Sequence, residues 1–148
     1  MKTRIESTAK VLLVNEKSEA LILTISEYEG HPEKSYTPDL PGGMVDPGET
    51  AFQAVVRELE EETGIRLPVD AFQLGYVETV FYPDPDRSVT KFLFTAQIAE
   101  TPEVCVSWEH ASFEWVPVER LGAVSLRPFF RTAVDYCIAH GLVDGAEA

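Results

Sequence analysis

Four glutamates at fixed spacing carry the clearest chemical meaning in this chain of 148 residues. Glu49 stands in a glycine-rich segment, and Glu58, Glu61 and Glu62 follow on a segment that is predicted to form one helix. At about 100° per residue, the last three side chains fall within an arc of about 100° on one side of that helix. Carboxylates crowded in this way repel one another unless a cation lies among them, and oxygen ligands suit a hard divalent cation. The spacing therefore predicts a site for a divalent metal.

The helix that carries these acids is predicted from local signals. Thr50 and Gln53 form a capping-box pattern, in which each side chain satisfies a backbone N–H group at a helix start. Gly64 is the residue type expected just past a helix end, where the backbone turns left-handed. An apolar stripe recurs at intervals of three and four residues, at Phe52, Val55, Val56 and Leu59. Glu60 falls on the far side of that stripe, so we expect it to be solvated or paired with a neighbouring cation.

The glutamates belong to a longer pattern that begins at Gly43 and ends at Ile65, G-x5-E-x7-R-E-(aliphatic)-x-E-E-x-G-(aliphatic). Every fixed position is present, and the pattern resembles the signature of the Nudix hydrolases. The resemblance implies hydrolysis of a diphosphate linkage in a nucleoside diphosphate derivative, with Mg²⁺ as cofactor and Mn²⁺ as its substitute. It also implies an α/β fold, an α/β/α sandwich around a mixed β-sheet. The alternative from another class is a nucleotide-binding regulatory domain that keeps this fold without turnover.

The resemblance also implies roles for individual residues. The metal ligands of the family match three positions, which are the Gly43 carbonyl, Glu58 and Glu62. The residue that matches Glu61 lies against the metal's water or binds a further ion, and Glu61 is one candidate for the general base. The residue that matches Arg57 orients the carboxylates through hydrogen bonds, and the residue that matches Glu49 supports the site.

A further candidate acid lies downstream, in Trp108–Pro117, which resembles a segment that often follows the motif in this family. Family members commonly supply another carboxylate from this region as a metal ligand or general base. Glu109 is the candidate for both roles. Glu114 is the reserve, because its alternation with apolar neighbours on a predicted strand would simply point it to solvent. His110 could support the site, but a lone loop histidine is more often incidental.

Three aromatic residues, Tyr36, Tyr82 and Trp108, are candidates for stacking on a nucleobase, although each taken singly is more often a core residue. Dinucleoside polyphosphate hydrolases of the family tend to carry a tyrosine about seventeen residues beyond the motif, and Tyr82 stands 17 beyond Ile65. ADP-ribose hydrolases more often carry a proline about fifteen residues beyond, where this chain has Val80. The sequence therefore favours a nucleoside or dinucleoside polyphosphate as substrate over ADP-ribose or a nucleotide sugar.

The composition excludes several classes of partner. A formal net charge of −13 argues against a nucleic-acid duplex and an anionic membrane, because both require basic patches. The same charge repels a polyphosphate, so we expect bound cations to mediate its docking. Cys105 and Cys137 lack metal-ligand spacing, and we expect reduced core thiols in a cytoplasmic protein. The apolar run Val11–Val14 is too short for a signal peptide or a membrane span.

The length suits one domain, 1–148, with the Nudix motif at 43–65. Strands are predicted on both sides of the motif helix, at Val11–Val14, Ala20–Ile25, Leu74–Tyr82, Val89–Ile98 and Phe113–Val116. Glu27–Asp39 is expected to be a polar, mobile loop on the substrate side. A C-terminal helix is expected from Pro128 to about His140, with Gly141 as its stop. Its buried stripe is predicted at Phe130, Ala133, Val134, Cys137 and Ile138. The chain could act as a monomer or a homodimer.

Overall fold

The first strand shows how the sequence builds the sheet. In β1 (Arg4–Val14) successive side chains point to opposite faces. Both faces are buried along its second half, at Ala9, Val11, Leu12, Leu13 and Val14. A strand that is buried on both faces must lie inside the sheet with other elements packed above and below it.

The computed structural model describes residues 2–143 of the chain. Six more strands follow β1, namely β2 (Glu19–Ile25), β3 (Pro38–Asp39), β4 (Gly42–Met44), β5 (Phe72–Tyr82), β6 (Arg87–Gln97) and β7 (His110–Pro117). The two helices are α1 (Ala51–Thr63) and α2 (Pro128–Ala139). Short 3-10 turns occupy Pro32–Lys34, Val69–Ala71 and Val118–Ala123.

The strands form one mixed sheet with β1 at its centre. On one side β1 runs parallel to β6, from Arg4 opposite Arg87 to Val14 opposite Gln97, and β5 pairs antiparallel with β6. On the other side β1 has two partners. It pairs with β2 at Val14, next to the hairpin turn, and with β4 at residues 8–10. Both β3 and β7 pair with β2. The mixed sheet confirms the predicted fold class.

The two helices cover opposite faces of this sheet. The odd-numbered residues of β1 pack in one core cluster with Val55 and Leu59 of α1. Its even-numbered residues pack in a second cluster with Phe130 and Val134 of α2. Because the clusters lie on opposite faces of the same strand, the architecture is the expected α/β/α sandwich.

Helix α1 has the predicted ends. Thr50 caps its start, with both reciprocal bonds to Gln53 formed, and Gly64 ends it in the left-handed conformation at a φ of 78°. The predicted stripe is wrong at Phe52, which remains 37% exposed while its ring packs on Phe94. Glu60 pairs with Arg66 at 2.7 Å, as expected for an acid on the far side of the stripe.

Other boundaries differ from the sequence-based predictions. β1 begins at Arg4 instead of Val11, because its first half is polar and does not resemble a buried strand. β7 begins at His110 instead of Phe113, so the interpretation of His110 as a loop residue is wrong. The predicted loop before the motif contains a 3-10 turn and β3.

The C-terminal helix begins at Pro128 as predicted, and Gly141 follows it with a φ of 66°. Four residues of its predicted stripe are buried, whereas Ile138 is half-buried. Neither described helix is long and apolar enough to cross a membrane. The predicted single domain, 1–148, includes Met1 and residues 144–148, which lie outside the described residues.

Candidate active site

The three motif acids of α1 differ in their exposure to solvent. Glu62 is buried, with 3% of its surface exposed, and its Oε1 atom accepts a hydrogen bond of 3.0 Å from the Gly42 amide. The Glu58 side chain is 15% exposed, whereas the Glu61 side chain is 57% exposed. The helix therefore presents one acid inside the protein, one at its margin and one toward solvent.

Two adjacent glycines bring backbone close to these acids for different reasons. A Cβ atom at Gly43 would lie 2.7–2.8 Å from the three carboxylate atoms of Glu58, so any larger residue would displace that carboxylate. Gly42 has a φ of 137°, and a Cβ atom there would lie 2.1 Å from the Ala9 carbonyl oxygen. Gly42 thus permits the pairing of β4 with β1, and Gly43 permits the close approach of Glu58.

Arg57 connects the carboxylates to one another. Its guanidinium donates to Glu49 at 2.7 and 2.9 Å, to Glu58 at 3.0 Å and to Glu61 at 3.1 Å. It also donates to the Met44 carbonyl oxygen at 3.2 Å. Because the guanidinium is planar and carries five donors, one arginine is able to fix several carboxylates at once. Arg57 is placed to orient the acids of the motif.

These contacts shift the pKa of two acids in opposite directions. Hydrogen bonds from Arg57 lower the pKa of Glu49 to about 2. Burial raises the pKa of Glu62 above its ordinary value, whereas the nearby Lys10 ammonium and the Gly42 amide oppose that shift. An additional cation stabilises the charged form of such a buried carboxylate, because the cation's attraction replaces the solvation that burial removes.

The available donors fit a hard divalent cation, since all of them are oxygen atoms. The carboxylates of Glu58 and Glu62 lie one helical turn apart, and Gly43 is in contact with the first. Between residues 2 and 143, no three His, Cys, Asp or Glu side chains cluster closely enough to hold an ion by themselves. A backbone oxygen such as the Gly43 carbonyl would therefore have to complete the ligand set.

The acids open into a cleft of about 1770 Å³ that also has a basic end. Six of the 12 lysines and arginines of the chain line it, namely Arg4, Lys10, Lys34, Arg87, Lys91 and Arg127. The net charge of −13 therefore does not show that half of the chain's cations line one cleft. A polyphosphate in this cleft would meet cations of the protein as well as any bound metal, which the net charge alone does not reveal.

Four of these cations form the basic end, which we define as Lys34, Arg87, Lys91 and Arg127. Burial lowers the pKa of Lys34, and the charges of Arg127, Arg87 and Lys91 lower it further against the opposing charge of Glu33, so the three other cations lie within electrostatic range of Lys34. Arg87 pairs with Glu6 and Arg127 pairs with Asp39, so the four cations outnumber the carboxylates that are paired with them. The basic end therefore has the properties of an anion-binding region.

Tyr82 lies at this basic end, at the last position of β5. Its hydroxyl group accepts a hydrogen bond of 2.7 Å from the Lys91 ammonium, and the Arg87 guanidinium lies 4.6 Å from its ring centre. Because the ring already contacts Arg87, Tyr82 is placed to hold the two cations in position. Its predicted contact with substrate stays a prediction.

The other predicted residues occupy different positions. Glu109 and Trp108 line the cleft, and both are exposed, Trp108 to 87%. Tyr36 is 62% exposed and is not among the residues that line the cleft, so the structure does not support stacking there. Glu114 is exposed on β7 and also lies outside the cleft lining, as expected for a strand residue that points to solvent.

The sequence analysis missed a charged network at the cleft floor, formed by Lys10, Asp39, His110 and Arg127. A weak signal existed for Lys10, because it interrupts the apolar half of β1. Asp39 and Arg127 gave no signal, since their contact joins segments 88 residues apart. His110 was considered incidental, yet it is 6% exposed and pairs with Asp39.

Comparison with known proteins agrees with this geometry. The family model described as NUDIX domain matches residues 5–137. Over 103 residues the chain is 32% identical to a bis(5'-nucleosyl)-tetraphosphatase [asymmetrical] of Caenorhabditis elegans, and the match covers 70% of each protein. Over 83 residues it is 39% identical to a putative 8-oxo-dGTP diphosphatase of Bacillus subtilis, covering 56% of this chain and 52% of that protein. The chain spans only 27% of a longer Myxococcus xanthus relative named octanoyltransferase.

Solved structures show the same fold. The MutT protein of Methanosarcina mazei superposes with a TM-score of 0.79 at 27% identity, covering 95% of this chain and 98% of that one. The superposition covers nearly the whole of both chains, so the fold is shared.

Proposed function

Because the chain belongs to the Nudix family, we propose that it hydrolyses the diphosphate linkage of a nucleoside polyphosphate, free or dinucleoside, with the help of a divalent metal. Enzymes of this family generally use divalent metals and act on nucleotide-type small molecules. The named relatives include a bis(5'-nucleosyl)-tetraphosphatase [asymmetrical] and a putative 8-oxo-dGTP diphosphatase.

One observation supports the choice of substrate: the cleft joins the basic end to an acidic end, which we define as Glu58, Glu61 and Glu62. The register of the sheet sets the spacing between them. Lys10 pairs with Gly42 beside the acids, Thr8 lies opposite Lys91, and Arg4 lies opposite Arg87. At about 3.3 Å per residue, these pairs lie roughly 7 Å and roughly 20 Å from Lys10 along β1. A chain of three or more phosphates extends toward these cations, whereas the diphosphate of ADP-ribose is shorter.

The acidic end supports the chemistry. Mg²⁺, or Mn²⁺ in its place, would be held by Glu58, Glu62 and the Gly43 carbonyl, and would supply charge neutralisation of the diphosphate and a lowered pKa for bound water. Arg57 fixes the acids that surround the reacting phosphate. The proton of the attacking water passes to Glu61 or to Glu109, both of which are exposed to the cleft.

Phosphoryl transfer of this kind depends on position and charge, and it requires no serine or cysteine nucleophile. The two cysteines are free thiols, which suits a reducing compartment such as the cytoplasm, but only Cys137 is the expected core thiol, because Cys105 is exposed. We therefore propose a cytoplasmic hydrolase in which residues 1–148 form one domain.

The test is a comparison of kcat/KM with Mg²⁺ for ATP, dATP, diadenosine tetraphosphate and ADP-ribose. We expect one of the polyphosphates to lead. The same constants for Tyr82→Ala should fall for polyphosphates, because Lys91 and Arg87 lose their support. Tyr36→Ala is the matched control, since that tyrosine lies outside the cleft lining.

Three outcomes contradict the proposal in different ways. A tenfold lead of ADP-ribose in the wild-type ranking would show that the substrate preference is wrong. Binding of nucleotides without any turnover would favour a regulatory domain. Unchanged constants for Tyr82→Ala would show that this tyrosine is only structural.

A further inference from the structure

Asp39 is a buried carboxylate on the cleft floor, with 4% of its surface exposed. Its Oδ1 atom accepts hydrogen bonds from the Leu40 amide at 2.9 Å, from Lys10 Nζ at 3.1 Å and from Arg127 Nη2 at 3.1 Å. Its Oδ2 atom lies 2.9 Å from His110 Nε2. Asp39 therefore joins β1, β3, β7 and the residue that precedes α2.

The two cations bound to Asp39 also share an aromatic ring. Lys10 Nζ lies 5.8 Å and the Arg127 guanidinium 5.0 Å from the centre of the Phe130 ring. Both cations are thus held by the same carboxylate oxygen and by the same ring. The single negative charge of Asp39 balances only one of these two positive charges, so the pair is able to bind an anion as well.

The two cations face different parts of the cleft. Lys10 lies beside the acidic end, because it pairs in register with Gly42, whose amide binds Glu62. Arg127 belongs to the basic end, and its side chain remains 32% exposed. Across residues 2–143, its one side-chain hydrogen bond goes to Asp39. The remaining nitrogen atoms of its guanidinium are available to a ligand.

His110 completes the network from below. Its side chain is 3% exposed, and its Nδ1 atom is buried without a hydrogen-bond partner among the described residues. Since Asp39 is an acceptor, Nε2 carries a hydrogen and donates it. A buried network that leaves a polar atom unsatisfied is costly for stability alone, because apolar residues of similar shape would fill the space at lower cost.

We propose that Asp39 is a positioning residue, whose carboxylate fixes Lys10 and Arg127 so that both contact the phosphates of the substrate. This inference rests on the proposed function. Asp39 itself lies beneath the two cations and acts through them. It sets the spacing between the cation beside the acidic end and the cation at the basic end.

The experiment is a double-mutant cycle between Asp39→Asn and Arg127→Met, with ATP as substrate. Asparagine keeps the shape of the side chain and can still accept from the Leu40 amide, but it loses the charge that anchors the cations. We expect KM for ATP to rise about tenfold in each single variant, the size typical of a lost charged hydrogen bond, while kcat changes less than about threefold. The double variant should be no worse than the poorer single variant, because Asp39 acts through Arg127.

Asp135→Asn is the matched control. It is the same substitution in an ion pair with Arg131, on the exposed side of α2 and outside the cleft lining. We expect its kinetic constants to equal those of the wild type. If Asp39→Asn does not fold, as judged by thermal melting, Lys10→Met and Arg127→Met take its place, and each must raise KM.

Two results overturn the inference. The first is kinetic: either Asp39→Asn lowers kcat without raising KM, or the effects of Asp39→Asn and Arg127→Met multiply in the double variant. Either outcome would show that Asp39 has a purely structural role. The second is an unchanged affinity of Asp39→Asn for inorganic tripolyphosphate, measured by calorimetry in EDTA. The binding measurement does not depend on turnover. A wild-type protein that hydrolyses no nucleotide would therefore refute the proposed function, while the role of Asp39 in binding phosphates could still be tested.

Discussion

Replacing Gly43 by alanine perturbs the acidic end with little effect on the backbone, because the new methyl group would meet only the end of a side chain. It would lie 2.8 Å from the Glu58 carboxylate oxygens, whereas ordinary contacts begin at 3.4 Å. The carboxylate must therefore move by about 0.6 Å. Since a misplacement of about 1 Å costs on the order of a hundredfold in rate, we expect kcat/KM to fall roughly tenfold to a hundredfold. That loss corresponds to roughly 1.4 to 2.7 kcal/mol of activation free energy.

The assay combines activity, metal affinity and thermal melting on three glycine variants. Gly43→Ala should weaken Mn²⁺ binding in calorimetry and leave the melting temperature near that of the wild type. Gly122→Ala is the neutral control, since a Cβ atom there meets nothing within 4 Å. Gly42→Ala should lower the melting temperature, because its Cβ atom would lie 2.1 Å from a β1 carbonyl oxygen at a φ that disfavours alanine.

Two results would refute this reasoning. If Gly43→Ala retains wild-type turnover and Mn²⁺ affinity, Glu58 does not act at the position where the structure places it. If Gly43→Ala unfolds as readily as Gly42→Ala, the glycine serves the fold and not the site.

Three further predictions follow from the charged groups. Glu62→Gln should keep the fold and lower turnover on the order of a thousandfold, as loss of an electrostatic group at the reacting centre commonly does. Glu60→Gln should leave turnover nearly unchanged. Equal effects of the two substitutions on turnover would contradict the assignment of Glu60 and Glu62 to different sides of the helix. Millimolar Mn²⁺ should raise the melting temperature at neutral pH, with a gain that shrinks below about pH 5 as carboxylates protonate, and an unchanged temperature would count against a metal site. Burial alone would raise the pKa of Asp39, but Lys10, His110 and Arg127 lower it from 3.8 to about 2. Its contribution to stability, on the order of 2 kcal/mol, is therefore complete above the unfolded pKa and is lost as pH falls toward the folded one. Urea unfolding of the wild type and Asp39→Asn at about pH 6 and pH 3 should show a smaller acid-induced loss in the variant, and equal losses would exclude this role.

The motif helix was predictable because its signals are local. The capping residue Thr50, the helix stop Gly64 and the acids between them lie within one short segment, and each acts on its near neighbours. Helical periodicity alone then places Glu58, Glu61 and Glu62 on a common side. Even so, periodicity did not predict that Glu62 is buried while Glu61 is exposed, since burial depends on what packs against the helix.

The sequence analysis did not predict the first half of β1, because the side chains that line the cleft there are polar. Arg4 and Thr8 line the cleft, so this part of the strand carries polar side chains where a buried strand would carry apolar ones. The hydrophobic pattern that identifies strands therefore fails at the site. Polar residues on a central strand became meaningful only when the sheet showed which face they occupy.

The sequence by itself determined the family, the helix and the acidic end, because those features depend on residues that are neighbours along the chain. Only the tertiary structure decided the basic end and the Asp39 network. Arg4 meets Arg87 through the parallel pairing of β1 with β6, and Asp39 meets Arg127 across 88 residues. A net charge is a sum that carries no positions, so a value of −13 could not reveal that half of the cations line one cleft. Folding places those cations together, and the anion they suit follows from that placement.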